Sequence, residues 1–242
     1  MGDGTLRPDA VVPLLRGRFG SPYVWRETCP STQELARGLP EGGVAACEEQ
    51  TAGRGRRGRT WTSPRGAGLL FSLSLHPRTP PDRLPPLTLV VADAVAEAAW
   101  PRATVRWPND VVVDGHKLAG ILAEARDGRV VVGIGVNANH GAGDLPPDTR
   151  VAPTSLRLLR GEPVDRAALL ADVLEAVEAH YRAFERDGFS GLARDDLRER
   201  RVRLAGGAEG RSDGVDAQGR LVVAGIPHTA DEVTAVDVDV NR

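Results

Sequence analysis

The chain has 242 residues, 41% of them hydrophobic and 26% charged, proportions of an ordinary globular protein long enough for one large domain or a large one and a small one. With 31 Lys+Arg against 33 Asp+Glu, a net charge of -2 and only 4% aromatic residues, it presents neither a broad basic face nor a stacking platform for nucleic acid. Its longest apolar stretch, residues 87–100, is broken by Asp93 and Glu97 and is short of the roughly 20 residues that cross a bilayer, and the first residues do not form a secretory signal, so a soluble, cytoplasmic protein without membrane contact is expected.

A short apolar run at residues 11–15 predicts a helix, and Ser31-Thr32-Gln33-Glu34 opens another with capping residue types. Residues 43–49 and 68–75 read as strands that flank an arginine-rich loop. Residues 87–100 have helical spacing, and short strands follow at 103–107 and 111–113. Asp114-Gly115 and Asp127-Gly128 are hairpin turns around strands 116–125 and 129–136, which makes an antiparallel meander. The Gly, Pro and Asp-rich residues 141–153 read as a loop, and residues 164–186 and 192–201 as helices. From residue 202 short β-like runs alternate with turns such as Asp216-Ala217-Gln218-Gly219, as in a small β-barrel. Cys29 and Cys47 read as small buried residues, and the histidines have no metal-ligand spacing, so zinc is not indicated.

The loop reads Gly53-Arg54-Gly55-Arg56-Arg57-Gly58-Arg59-Thr60-Trp61. Its permanently charged guanidinium forks suit phosphate or carboxylate oxygens, and its glycines allow close approach to a ligand. A solvated basic loop, a nucleic-acid contact and a seat for a small phosphorylated ligand all fit this segment alone. A second segment, Arg106-Trp107-Pro108-Asn109-Asp110, precedes Lys117-Leu118-Ala119-Gly120-Ile121-Leu122, and Lys117 is the chain's single lysine. Each of these residues has a plain structural reading: Asn109 and Asp110 form turns, Trp107 suits a core, and a lysine suits a strand end. Together, a carboxylate beside a lysine with arginines in the same sheet suits a magnesium-bound triphosphate.

These two segments and Gly133-Ile134-Gly135-Val136-Asn137 resemble, in order and spacing, the motifs of biotin protein ligases. Ser31-Thr32, Glu49-Gln50 and Thr154-Ser155-Leu156 agree, and the resemblance runs from about residue 20 to the end. It implies an α/β fold of the α+β type: a mixed, largely antiparallel sheet with packed helices, in a class II synthetase-like catalytic domain at 1–198 with helices on one side, then an SH3-like β-barrel at 199–242. The implied activity joins biotin and ATP, with Mg2+, into biotinyl-5'-AMP and passes biotin to a lysine of a biotin carboxyl carrier domain of acetyl-CoA carboxylase or a related enzyme. Lys117, Arg54, Arg56 and Asp110 are the implied catalytic residues, with Asp110 also the candidate metal ligand. Ser31, Thr32, Gln33, Gln50, Arg54, Gly55, Arg56 and Lys117 are implied at biotin, and Arg56, Arg59, Trp61, Asn109, Lys117 and Asn137 at ATP or the adenylate. Arg106 stands where the family usually has lysine, and Gln33 where asparagine is commoner. The motifs begin too early for a preceding winged helix-turn-helix, so no DNA partner is expected, and the implied state is monomer or homodimer. A lipoate or octanoate ligase and a non-catalytic binder of adenylate or nucleic acid are the alternatives.

Overall fold

The computed structural model describes residues 4–147 and 149–236. Its main sheet has seven strands: β1 (Tyr23–Cys29), β2 (Val44–Gln50), β3 (Leu69–Leu75), β4 (Thr104–Arg106), β5 (Asp110–Val113), β6 (His116–Arg126) and β7 (Arg129–Val136). Their spatial order is β1-β2-β3-β7-β6-β5-β4, and every pairing is antiparallel except β1 with β2. Both predicted hairpins form as the turn residues require, with positive φ at Asp114 and Gly115 (49° and 81°) and at Asp127 and Gly128 (51° and 75°).

The strand period of two gives the sheet two unlike faces. The helices are α1 (Pro8–Val11), α2 (Thr32–Ala36), α3 (Leu87–Ala99), α4 (Leu156–Arg160) and α5 (Arg166–Asp187); Val44, Ala46, Phe71, Leu73, Val132 and Ile134 join the large core beneath α3 and α5, which pack on each other. Their alternates, Ala45, Cys47, Leu70 and Val131, belong to two small clusters under α2 (Thr32–Ala36). The helices therefore do not all lie on one side, because α2 covers the opposite face. On that face Ser72, Gly120, Gly133 and Gly135 are too small to fill the layer, and a cavity opens there.

β1 is an element that the sequence pattern did not suggest, because its side chains are mostly half-buried or exposed and do not alternate cleanly. The helix expected at 192–201 is absent. Instead, Val105 donates to Arg194 O (2.6 Å) and Asp196 N donates to Val105 O (3.0 Å), so this segment covers the open edge of β4. An unpaired strand edge and the buried Arg106 outweigh the local helix preference. The expected helix at 164–186 begins at Arg166, where Asp165 accepts from the N–H groups of Ala167 and Ala168.

Residues 201–236 form a five-stranded antiparallel sheet, in the order β11 (Ile226–His228), β10 (Leu221–Val223), β9 (Glu209–Val215), β8 (Arg201–Leu204) and β12 (Val233–Val236). Val202, Leu221, Val223 and Val233 are continuous with the large core. Trp107 Nε1 donates to Gly219 O at 2.9 Å, so the second sheet is fastened beside the motif that carries Asn109 and Asp110.

Candidate active site

The cavity over the glycine-rich sheet face measures about 530 Å³. Ser31, Thr32, Gln33, Gln50, Arg54, Gly55, Arg56, Arg59, Trp61, Asn109, Asp110, Lys117 and Asn137 all line it. The structure thus brings all of these candidate site residues to one place, although the local geometry gives several of them partners that sequence could not show.

At one end the walls are polar and uncharged. Ser31 starts α2, but its hydroxyl does not cap the helix; Gln50 Oε1 takes that place, accepting from Thr32 N at 2.8 Å and Thr32 Oγ1 at 3.2 Å. Thr32 Oγ1 also meets the buried Ser72 hydroxyl at 2.8 Å, a support that sequence reasoning missed. Gln33 donates through Nε2 to Leu122 O at 2.8 Å, while its buried Oε1 has no hydrogen-bond partner among the described residues. A buried acceptor without a donor is unfavourable unless a ligand supplies one.

The middle is built around Trp61. Gly133 and Gly135 lie within the expected strand, β7, two residues apart on one face. Gly135 is paired across the sheet with Gly120, and the Trp61 ring lies on both of them. A Cβ on Gly135 would stand 2.6 Å from Trp61 Cε2, and one on Gly120 would stand 2.9 Å from Cζ3. Lys117 Nζ lies 5.4 Å from the centroid of the same ring.

At the other end are the charges. Lys117 Nζ is 2.7 Å from Asp110 Oδ1, both side chains being largely buried. Their meeting follows from topology: Asp110 on β5 is registered with Gly120 on β6, and the Asp114-Gly115 turn folds Lys117 back beside it. Residues 152–154 flank Lys117 on its other side, through Lys117 N to Ala152 O (2.7 Å) and Thr154 N to Lys117 O (2.8 Å). Asn137 spends its amide on the carbonyls of Lys117 (3.3 Å) and Thr154 (2.9 Å), so it organises this junction. Asn109 donates to Ile121 O at 3.0 Å and accepts from Arg56 at 3.4 Å.

The four loop arginines divide in two. Arg54 pairs with Glu34 and stands 3.7 Å from Glu124, so the cation expected in the reaction centre faces carboxylates at its edge. Arg57, in left-handed backbone at φ 56°, donates to Ala230 O and Asp231 Oδ1, both at 2.6 Å, which ties the loop to the second sheet. Among the described residues Arg56 forms no ion pair; burial, then Arg57, holds its pKa below the usual guanidinium value. Arg59 Nε donates to Arg56 O at 3.3 Å. Arg106 is buried and paired with Asp196 at 2.7 Å, which gives the residue that departs from the family pattern a structural partner. Arg150, also on the cavity wall, was not singled out from the sequence, because a lone cation in a Gly/Pro/Asp-rich loop carries no periodic or motif signal.

A neutral polar pocket, an aromatic floor and a cation-rich end suit an enzyme that joins a small uncharged-ended acid to a nucleotide triphosphate. The comparisons with known proteins agree with that class. Residues 24–139 match the family described as the Biotin/lipoate A/B protein ligase family. The biotin--[acetyl-CoA-carboxylase] ligase of Paracoccus denitrificans is 35% identical over 215 residues, which is 79% of this chain and 88% of that protein. The bifunctional ligase/repressor BirA of Bacillus subtilis is 37% identical over 188 residues, 72% of this chain, and the match spans 58% of its length. The structure of a biotin protein ligase from Aquifex aeolicus in complex with biotin and ATP superposes with a TM-score of 0.74 at 28% identity, covering 87% of this chain and 93% of that one. The chain belongs to the biotin/lipoate protein ligase family, and within it to the biotin protein ligases.

Proposed function

We propose that this protein is an ATP-dependent biotin protein ligase that forms biotinyl-5'-AMP and transfers the biotinyl group to a lysine of a carboxylase carrier domain. The observation that carries the reading is the unpartnered Gln33 Oε1, buried at the neutral end of a cavity whose other end is cationic. Biotin has a matching asymmetry: a neutral ureido ring with N–H donors and a carbonyl at one end, a carboxylate at the other. Gln33 Oε1 accepts from a ureido N–H, while the Gln50 amide and the Ser31 hydroxyl donate to the ureido oxygen.

In the first step the biotin carboxylate attacks the α-phosphate. Two unit charges about 4 Å apart repel by roughly 4 kcal/mol near a protein surface, so a fixed cation between them is required. Lys117 suits that place: its ammonium forms an ion pair with Asp110, 2.7 Å from Oδ1, and has donors to offer the carboxylate and the α-phosphate. Asp110 then acts by holding the ammonium in position. The adenine lies near Trp61 and Asn137 Oδ1, and Arg56 from the loop side covers the reactive anhydride against water. In the second step the acceptor lysine attacks the anhydride carbonyl and AMP leaves, so no side chain of this chain becomes a covalent nucleophile.

Among the described residues no three His, Cys, Asp or Glu side chains are grouped to hold a metal, and Asp110 is engaged by Lys117. Magnesium therefore fits as an ion carried by the triphosphate oxygens, with at most one protein carboxylate beside it. Residues 1–198 are proposed as the catalytic domain and residues 199–242 as a distinct barrel domain. Among the described residues no helix is long and apolar enough to cross a membrane. The test is ATP–pyrophosphate exchange with biotin, lipoate or neither added. Exchange should depend on biotin; exchange that ignores biotin or prefers lipoate overturns the assignment.

A further inference from the structure

Lys117 is the one lysine of the sequence, so apart from an amino terminus its Nζ is the only primary amine the chain possesses. The other cations of the cavity wall are arginines, whose guanidinium groups keep their protons and do not attack acyl groups. The adenylate of the ligase reading is an acylating agent for amines, and Lys117 stands at the cationic end of the cavity, where the biotin carboxylate is activated. Well-oriented neighbours react as if one were present at about 10⁵ M or more. The residue that helps to assemble the anhydride is thus also the amine nearest to it, and its lone pair has to be withheld.

Two contacts withhold it. Asp110 Oδ1 is 2.7 Å from Nζ, in a pair whose side chains are only 21% (Lys117) and 19% (Asp110) exposed. The Trp61 ring centroid is 5.4 Å from the same nitrogen. A carboxylate and an aromatic face both favour the ammonium, which has no lone pair. The arrangement is held from the backbone: Asp110 is in register with Gly120, while Lys117 N donates to Ala152 O and Lys117 O accepts from Thr154 N.

We propose that Lys117 is the one site at which this chain can acylate itself, and that Asp110, seconded by Trp61, keeps that site closed. The inference rests on the ligase reading and gives Asp110 a duty beyond placing the ammonium: protecting the enzyme from its own intermediate once the pyrophosphate has gone. With the guard removed, Nζ forms a bond to the acyl carbon and the bond from that carbon to the phosphoryl oxygen breaks. The electron pair leaves with AMP, the nitrogen sheds its proton to water, and the biotinyl group ends as an amide on Lys117. These are the bonds made and broken in transfer to a carrier lysine, so no further reactant is needed. Adenylate that escapes the cavity meets no other lysine on this chain.

The test incubates the full chain with pre-formed biotinyl-5'-AMP and no carrier domain, and follows biotin on the protein by intact mass and peptide mapping. Asp110→Asn should gain one biotinyl group, mapped to Lys117, at least about tenfold faster than wild type, and Asp110→Glu should restore most of the protection. The rate should saturate with adenylate, as attack within a bound complex does, whereas an unfolded chain is acylated in proportion to the adenylate in solution. Trp61→Ala, which keeps the carboxylate, is the second variant, with a rise of about two- to fivefold. If neither variant exceeds wild type, or if the labelling does not saturate, the proposal is overturned. Wild-type protein that passes no biotinyl group from the adenylate to a carrier domain overturns the ligase reading itself, whatever the variants do.

Discussion

Gly135→Ala puts one methyl group where the Trp61 ring lies. The added Cβ would stand 2.6 Å from Cε2 and 2.8 Å from both Cζ2 and Nε1. Carbon atoms pack best roughly 3.5–4.0 Å apart, so the ring has to retreat by about 1 Å. The backbone cannot absorb this, because β7 is paired on both sides, with β3 and β6, and Gly135 is opposite Leu70 and Gly120. Trp61 is in turn anchored through its own N–H to Gly53 O at 3.0 Å. Overpacking of this kind costs about 1–3 kcal/mol. If the ring yields instead, it moves into the cavity beside Lys117, and a displacement of about 1 Å near reacting groups costs on the order of a hundredfold in rate. Urea unfolding and biotin-dependent exchange should be measured for Gly135→Ala, Trp61→Ala and the double variant. The stability penalty of the alanine should shrink by at least about 1 kcal/mol once the indole is gone, a coupling expected of groups in contact. Wild-type stability and activity in Gly135→Ala, or a penalty that is the same with and without Trp61, would refute the packing argument.

Three further perturbations test other parts of the site and its frame. Lys117→Ala should lower adenylate formation by at least about a hundredfold, the scale of a lost transition-state donor, with an unchanged circular dichroism spectrum; near-normal exchange would remove the lysine from the mechanism. Arg106→Ala leaves Asp196 buried, with Thr104 Oγ1 at 3.2 Å and Arg200 at 3.6 Å as its remaining side-chain partners; it should destabilise the fold by about 3–5 kcal/mol, and a urea midpoint like that of the wild type would show the pair to be dispensable. His140 is buried, its Nε2 is 2.9 Å from the Ser63 hydroxyl, and burial lowers its pKa from the ordinary histidine value. The folded state therefore resists protonation, so the stability this ring contributes is complete above the unfolded pKa of about 6.5 and declines as pH falls below it, by at most about 1.4 kcal/mol per pH unit. His140→Gln should flatten the pH dependence of urea stability between about pH 6.5 and pH 5, and equal slopes in the two proteins would place the acid sensitivity elsewhere.

What was readable in the sequence is what short-range physics decides. The two Asp-Gly turns need positive φ, and the strands around them alternate, so the β5–β6–β7 meander follows locally. The failures arise where a distant segment decides. Residues 192–201 have good helix-forming composition, yet the free edge of β4 and the charge of Arg106 draw residues 194–196 alongside them instead. β1 pairs with β2 across the intervening α2, and its own residues lack the alternation that marks a half-buried strand.

The same division governs the site. The motif gave the residue types, but each arginine's meaning depends on which carboxylate the fold brings to it. Arg54 and Arg57 sit in one short loop with Arg56 and Arg59, and nothing local distinguishes them; Glu34 lies on α2 and Asp231 beyond β11, and only the assembled fold brings each to its arginine. With those two arginines paired, Arg56, Arg59 and Arg150 are the cavity arginines that form no ion pair among the described residues. The charge that this cavity presents is therefore set less by the density of arginine in the sequence motif than by the placement of three distant carboxylates, Glu34, Asp196 and Asp231.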